Sequence, residues 1–506
     1  RSAPAGLNEE ARMARVMDNP GSIASDERTI HKVPDPFPLT LAGMLAALGP
    51  QAINFGISIG GGEAYLLPNV AARGTLGMHW LMAISVVLET ALVYECIKYS
   101  ICTGRSFFAA TNELKPLGFW PWFWAVVSIV TFAWPAWMGG AVIAAHRFTG
   151  IGNPPVLGLP PHYIWAVVAL LAVLVVFYFS DRTYNFLSKF FTFIMFANIV
   201  LVLAVTLIAA KPQHYWQVLM GYLGITFMLE GYPAALPKTD ALALFNQPGG
   251  SLMWVSFWVI AAGFGMGRYA GQVTGVLRPP ERITAHELRW DTSDAGERRK
   301  MDQWVKIGGY SLILWWAIIG GLIMTYLYSV CGLAYLHEDF LKTGKIPSGV
   351  EVPIQMATIA QGVLGPMAGW LMLVFIMVTL YDAQFPFYDT FIGRTTCDAI
   401  AVSGRARRPY RFYYFVVVTA AVAAGFYLIT VAQPFILWIG VAISALVYRS
   451  IGAWQILLLN NRRLPEGFKV SRLNTVLLWI TVVTGFGGVG IWAVTVLPGE
   501  IAKRFG

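Results

Sequence analysis

The sequence alternates between long apolar stretches and short polar segments. A bilayer core about 30 Å thick requires about 20 mostly apolar residues in a spanning helix. Stretches of this length recur eleven times, and we number them span one to span eleven. They lie near residues 39–72, 77–101, 119–146, 162–180, 184–210, 251–275, 304–330, 362–392, 410–430, 434–459 and 473–496. The pattern predicts an all-α integral membrane protein whose transmembrane domain covers residues 37–496.

The two ends of the chain are predicted to be polar tails, at residues 1–36 and 497–506. The first tail contains no apolar segment of the kind found in a cleavable signal peptide. This feature fits a protein of a bacterial inner membrane.

The composition agrees with a membrane protein. Hydrophobic residues make up 57% of the chain and charged residues 12%, against about 25% charged residues in soluble domains. Four cysteines in 506 residues provide no disulfide framework. The glycine triplet at 60–62 is not followed by the Gly-Lys-Ser/Thr of a phosphate-binding loop. We therefore expect neither an enzyme nor a bound cofactor.

The basic residues predict the orientation in the membrane. With the N-terminus inside, 25 of the 36 Lys and Arg residues fall in inside segments and 8 in outside segments. Cytoplasmic loops are enriched in these residues, so the N-terminus is predicted in the cytoplasm and the C-terminus outside. The net charge of +9 then reflects topology. The expected partner is the lipid bilayer, and nucleic acid is not.

Two spans contain glycine clusters that interrupt a helix. Gly60, Gly61 and Gly62 precede Glu63 in span one, and a second cluster surrounds Gly265 in span six. Irregular backbone at membrane depth is tolerated where it lines a cavity, and breaks in corresponding spans indicate an inverted repeat. We predict repeat one at about 39–210, repeat two at about 251–459 and an extra helix at 473–496.

Several motifs resemble the Nramp family of divalent-metal transporters. They are Gly49-Pro50, the broken segment Gly60 to Glu63, Thr103-Gly104-Arg105 and Asn461-Arg462-Arg463. The resemblance implies the LeuT-type fold, with five plus five helices in an inverted repeat and breaks in spans one and six. It also implies transport of a small ion.

The family's functional motifs are changed in this chain. Its Asp-Pro-Gly-Asn corresponds to Gly60 through Glu63, and its Met-Pro-His corresponds to Met266-Gly267-Arg268. The resemblance thus implies Glu63 and Met266 as metal ligands. Two acidic residues of the family's proton relay correspond to Trp134 and Trp137. The expected substrate is a divalent cation, Mg²⁺ or Mn²⁺, carried without the usual proton coupling.

The charges at the predicted breaks leave two other functions open. If Glu63 and Arg268 meet, the site is neutral and Arg268 repels a cation. Arg268 could instead hold the carboxylate or phosphate of an anionic or zwitterionic solute. Alternatively, a fixed Glu63–Arg268 pair could close the route, which would leave a non-transporting subunit that binds partner subunits in a membrane complex.

Further charges lie inside predicted spans, where ionisable groups default to functional hypotheses. Glu89 and Asp382 are each interpreted either as a carboxylate of the transport pathway or as the ion-pair partner of Arg449. Glu95 and Lys98 are spaced to form a structural pair within span two.

Overall fold

The computed structural model describes residues 29–59, 63–151, 158–234, 236–249, 251–345, 351–431 and 434–499. The glycine triplet Gly60, Gly61 and Gly62, most of the predicted N-terminal tail and residues 500–506 lie outside the described residues.

The described residues form a helical bundle that follows the eleven predicted spans. In the first repeat, the helices are Leu48–Ile59 and Glu63–Ala72 (span one), Trp80–Thr103 (two), Phe119–Phe132 and Ala136–Thr149 (three), Tyr163–Phe179 (four) and Thr183–Ala209 (five). In the second repeat, span six consists of Lys238–Leu244 and Val255–Ala261, and span seven of Ala295–Ser311, the π-helix Leu312–Met324 and Thr325–Thr343. Span eight consists of Pro366–Asp382, Gln384–Pro386, the π-helix Phe387–Arg394 and Thr395–Val402. Spans nine and ten are Tyr410–Val431 and Pro434–Arg463. Span eleven is Arg472–Thr495.

Shorter elements connect the spans. The short helices are Leu41–Ala46, Phe107–Ala110, Pro212–Tyr222, Ile225–Glu230 and Glu351–Leu364, and the 3-10 turns are Leu76–Met78, Thr111–Glu113, Leu252–Trp254 and Gly265–Tyr269. Strand Ile30–His31 pairs in parallel with Arg289–Trp290. Within the described residues, seven helices are long and apolar enough to cross a membrane. The chain is therefore an integral membrane protein.

Span six is interrupted earlier in the sequence than we predicted. Its first helix ends at Leu244, and the next helical turn begins at Leu252. Between them, Pro248 lacks an N–H, and Gly249 has a φ of +47°, so neither residue continues an α-helix. The glycine cluster around Gly265 follows the end of the span.

We did not predict the break at Pro248 and Gly249 because the half-helix that precedes it is short. Lys238–Leu244 has seven residues and includes two charged side chains, so it does not stand out in a search for 20-residue apolar stretches. Span six is therefore interrupted at Pro248 and Gly249. Span one is described as two helices, Leu48–Ile59 and Glu63–Ala72, on either side of residues 60–62.

The second half of span one packs closely against span seven. A Cβ atom added at Gly332 would lie 2.3 Å from the Cα of Pro68, well inside van der Waals contact. Glycine at this position therefore allows the helix that begins at Glu63 to lie against span seven.

Replacing Gly332 with Ala is expected to lower the free energy of unfolding by about 1–3 kcal/mol, because the added methyl group overpacks this contact. Thermal unfolding of the purified protein would measure the change. Gly487 in span eleven is the matched control, because a Cβ there meets no atom within 4 Å. Equal melting temperatures for G332A and G487A would contradict the predicted contact.

The segments that we predicted on one side of the membrane meet at one end of the bundle. Residues 102–118, 276–306, 393–411 and 460–472 share this end, which we call the basic face. The backbone N–H of Leu288 donates to the carbonyl of Thr103 at 2.8 Å. Arg105 and Arg463, from the two most specific Nramp-like motifs, both pair with Glu113.

The end of the predicted N-terminal tail lies against the basic face. Trp304 donates to the carbonyl of Pro34 at 2.9 Å, and Lys300 pairs with Asp35 at 2.8 Å. Val33 is buried. Residues 30–37 are thus packed on the bundle, whereas we expected the whole stretch to residue 36 to be a soluble tail.

Candidate functional site

Span one is tied to the break in span six by an asparagine. The Oδ1 of Asn54 accepts hydrogen bonds from the backbone N–H of Ser251 at 3.0 Å and from its hydroxyl at 2.7 Å. Asn54 is fully buried. Spans one and six therefore meet at Asn54 and Ser251.

The π-helix of span seven packs against both broken spans. A Cβ at Gly320 would lie 3.1 Å from the ring of Phe55 in span one, and a Cβ at Gly321 would lie 3.4 Å from Pro248 in span six. Trp316 donates to the hydroxyl of Ser58 at 2.8 Å. Because π-helical segments occur often at functional sites, this contact marks the region as a candidate site.

Asp382 projects toward span one. It is completely buried at the end of helix Pro366–Asp382, and its Oδ2 would lie 3.5 Å from a Cβ at Gly56. Among the described residues, neither carboxylate oxygen accepts a hydrogen bond of normal geometry. The backbone N–H of the next residue, Ala383, interacts with the carboxylate. An ionised carboxylate buried in this way is costly unless a positive charge compensates it.

Glu63 lies close to the same tyrosine, Tyr328, as Asp382 does. It is 1% exposed and is the first residue of helix Glu63–Ala72. Glu63 and Asp382 both lie close enough to Tyr328 of span seven to interact with it electrostatically. The hydroxyl of Tyr328 donates to Oδ1 of Asn198 in span five at 3.2 Å.

Gln384 adds an amide two residues beyond Asp382. Its side chain is fully buried, and neither amide atom has a hydrogen-bond partner in the described part of the chain. Residues two apart in a helical stretch point to different faces, so we define the central site as Glu63, Tyr328 and Asp382. It offers the oxygen atoms of two carboxylates and a phenol.

Solved structures share this architecture. The fold is similar to that of a manganese transporter from Eremococcus coleocola, in complex with an aromatic bis-isothiourea substituted compound, with a TM-score of 0.62 and 14% identity over 96% of this chain and 92% of that chain. A variant of the same transporter gives a TM-score of 0.60 and 14% identity over 92% and 90%. The chain has the LeuT fold.

The sequence itself gives no family assignment. No family model matches the chain, and a comparison with curated proteins finds no match. At 14% identity, the likeness to the manganese transporter shows the fold alone.

Met266 and Arg268 lie away from the central site. The carbonyl oxygen of Met266 would be 2.8 Å from a Cβ at Gly104, the residue that caps the basic end of span two. Arg268 is exposed, and the next residue, Tyr269, donates to the carbonyl of Lys32. Both residues therefore belong to the basic face.

Glu63 lies toward the opposite half of span two. Glu63 interacts electrostatically with Tyr222. The ring of Tyr222 lies 5.7 Å from that of His79, the residue before span two. Span two has 24 residues and is about 36 Å long. Arg268 and Glu63 therefore lie toward opposite ends of span two, and the condition that the two charges meet is not fulfilled.

Arg449 pairs with Glu89, which settles one of the alternatives left open by the sequence. The Nη1 of Arg449 lies 2.8 Å from Oε1 of Glu89 and 2.8 Å from the hydroxyl of Ser85, and both charged side chains are fully buried. Arg449 also donates to the carbonyl of Phe245 at 3.4 Å and covers its ring. The pair thus joins spans two and ten to the non-helical stretch of span six.

Glu95 and Lys98 form the structural pair that we predicted, at 2.7 Å. Glu95 also accepts hydrogen bonds at 2.7 Å from Asn460 of span ten and from Asn474 of span eleven. Its carboxylate is therefore satisfied, in contrast to that of Asp382.

A metal bound at the central site would need ligands beyond acidic side chains. In the described ranges, no three His, Cys, Asp or Glu side chains converge on one point. The remaining donors would be the phenol of Tyr328, backbone carbonyls or water. Sequence reasoning missed Tyr328, Asn198 and Gln384, because single polar residues within apolar stretches carry no motif.

Proposed function

We propose that the chain is an Nramp-related transporter that moves a divalent metal cation, bound at the central site by Glu63 and Asp382. The observation that carries this proposal is the Asp382 carboxylate, which is completely buried against span one without a hydrogen-bond donor of normal geometry among the described residues. A cation would compensate its charge. The site adjoins the broken span one, where transporters of this architecture bind substrates.

The available donor atoms favour a hard cation. Carboxylate, phenol and backbone carbonyl oxygens suit Mg²⁺, Ca²⁺ and Mn²⁺, whereas thioethers and thiolates select softer metals. Met266, the soft ligand that we expected, lies at the basic face. We therefore place Asp382 rather than Met266 beside Glu63 and propose Mg²⁺ or Mn²⁺ as the substrate. The manganese transporter of the same fold is consistent with this choice.

The family's proton relay in span three is not part of this proposal. By the resemblance, Trp134 and Trp137 correspond to its acids, and the ring centroid of Trp137 lies 4.8 Å from that of Phe387 in span eight. An apolar contact thus replaces the acids, and we propose that transport does not use that route.

The two other candidate functions depended on Arg268 lying beside Glu63. An anionic or zwitterionic solute was to be held by Arg268, which is exposed at the basic face. The non-transporting subunit required a Glu63–Arg268 pair that closes the route. Arg449 does not replace Arg268 as an anion anchor, because Glu89 neutralises it.

Uptake into proteoliposomes tests the proposed function. Purified full-length protein would be reconstituted, and entry of Mn²⁺, Mg²⁺ and Ca²⁺ would be followed with metal-sensitive dyes. We expect saturable uptake of Mn²⁺ or Mg²⁺ above that of protein-free liposomes. Absence of flux for all three ions would refute the proposal.

A further inference from the structure

Two adjoining cavities lie at the basic face, away from the central site. The larger, of about 370 Å³, is lined by the segment after span two, the loop after span six and the ends of spans eight and ten. The smaller, of about 160 Å³, lies between the loop after span six and the junction of spans eight and nine. His286 and Glu287 line both cavities. Together the cavities reach the size of a small-molecule site, which is typically about 300–1,000 Å³.

The larger cavity, which we call the polar cavity, has more basic than acidic residues in its lining. Its charged residues are Arg105, Arg289, Arg463, Glu113 and Glu287. Glu113 pairs with both Arg105 and Arg463. Burial raises the pKa of Glu287, although nearby Arg463 opposes the shift, and a raised pKa favours the neutral acid. An anion that enters the polar cavity therefore meets a net positive charge.

Arg289 presents a guanidinium to this cavity from a fixed backbone. Its side chain is exposed and forms no salt bridge among the described residues. Strand Arg289–Trp290 pairs with Ile30–His31, and Trp290 donates to the carbonyl of Cys102 at 3.1 Å. The backbone of Arg289 is thus anchored on both sides, while its charge stays available to a ligand from solution.

Arg105 supplies a second guanidinium, which is buried in the cavity wall. It is 5% exposed. One of its terminal nitrogens pairs with Glu113, and the other donates to the carbonyl of Ala109 at 2.7 Å. Its Nε has no hydrogen-bond partner in the described part of the chain. Because a buried donor without an acceptor is costly, an anion in the polar cavity would be favoured. Guanidinium groups match the oxygen atoms of phosphate especially well.

The smaller cavity, which we call the tyrosine cavity, has a mainly apolar lining. Two tyrosines and several aliphatic side chains contribute to it, namely Tyr410, Tyr413, Ile283, Leu288 and Ile400. The hydroxyl of Tyr410 donates to the carbonyl of Arg394 at 3.1 Å, and that of Tyr413 accepts from the backbone N–H of Arg407 at 2.9 Å. These bonds hold both rings in place. A planar aromatic group packs favourably on such rings.

We propose that the two cavities form one binding site for a nucleoside phosphate, with the base in the tyrosine cavity and the phosphates beside Arg105 and Arg289. An inorganic anion would occupy only the polar cavity, and an uncharged aromatic molecule would leave the arginines unused. The basic face is predicted to lie in the cytoplasm, where nucleotides are available. The site is separate from the central site, and its existence does not rest on the proposed function.

Calorimetric titration of the purified full-length protein tests this site without transport. ATP, adenosine, inorganic phosphate and glycerol phosphate would be titrated in metal-free buffer, glycerol phosphate representing the phosphate of a lipid headgroup. We expect ATP to bind at least about tenfold more tightly than the other three, because it alone joins a base to several phosphates. No binding of ATP at millimolar concentration, or equally tight binding of phosphate or glycerol phosphate, would overturn the proposal.

Arg289→Gln tests the polar cavity. It is expected to weaken ATP binding about tenfold, because a charge-assisted hydrogen bond to phosphate is lost. Arg299→Gln is the matched control, because Arg299 is an exposed arginine of the basic face that lines neither cavity. R299Q should bind ATP as the wild type does. Equal affinities of R289Q and R299Q for ATP would contradict the placement of the phosphates.

Ala406→Trp tests the tyrosine cavity. Ala406 lies in the turn between spans eight and nine and lines this cavity, so an indole there would occupy the space of the base. We expect the affinity for ATP to fall at least about tenfold, to the level of inorganic phosphate, while phosphate binding is unchanged. Thermal unfolding would show that A406W is folded. Wild-type affinity of folded A406W for ATP would overturn the two-cavity site.

Discussion

Replacing Asp382 with Asn is expected to reduce metal uptake by about 100-fold, because the change removes one of two charged ligands from a site of low dielectric constant. The substitution keeps the size of the side chain and its place at the end of helix Pro366–Asp382. Initial rates of Mn²⁺ uptake into proteoliposomes would measure the effect. Glu63→Gln is expected to cause a loss of the same order, since it removes the second carboxylate.

Asp302→Asn provides the matched control for this prediction. It makes the same chemical change at an exposed acid of the basic face, and its uptake should equal that of the wild type. Gel filtration and thermal unfolding would show that D382N is folded. Wild-type uptake by folded D382N would show that Asp382 does not bind the substrate.

Replacing Arg449 with Met is expected to lower the free energy of unfolding by about 3–5 kcal/mol, because removal of one partner leaves a buried charge unpaired. In this variant Glu89 loses its guanidinium partner, and the carbonyl of Phe245 loses a donor. Thermal unfolding in detergent would measure the loss. Glu89→Gln should also be destabilising, because it leaves Arg449 without its counter-charge.

The double variant R449M/E89Q separates an ion pair from two independent contacts. If the residues interact as described, the double variant should be more stable than the sum of the two single losses predicts, with a coupling free energy above about 1 kcal/mol. Additive losses, or single variants within about 0.5 kcal/mol of the wild type, would contradict the role of the pair.

The general architecture could be predicted from the sequence because it depends on long-range composition. Apolar stretches of about 20 residues locate spanning helices, and the loops with many basic residues lie together at one face. The break in span six was misplaced because the glycines around Gly265 are the more visible signal. Pro248 and Gly249, which interrupt the span, follow a half-helix of seven residues.

The partners of buried charges could not be predicted in the same way. Glu89 and Asp382 look alike in a linear sequence, because each is an acid near the middle of an apolar span. Only the packing of spans two, eight and ten shows that Glu89 meets Arg449 whereas Asp382 faces Gly56.

The most direct test of the central claim is the position of bound metal in an experimental structure. Crystals of the protein soaked with Mn²⁺ would show the ion by its anomalous scattering. We predict a peak within about 2.5 Å of carboxylate oxygens of both Glu63 and Asp382, absent in D382N. A Mn²⁺ peak elsewhere in the bundle, with neither carboxylate as a ligand, would contradict the assignment.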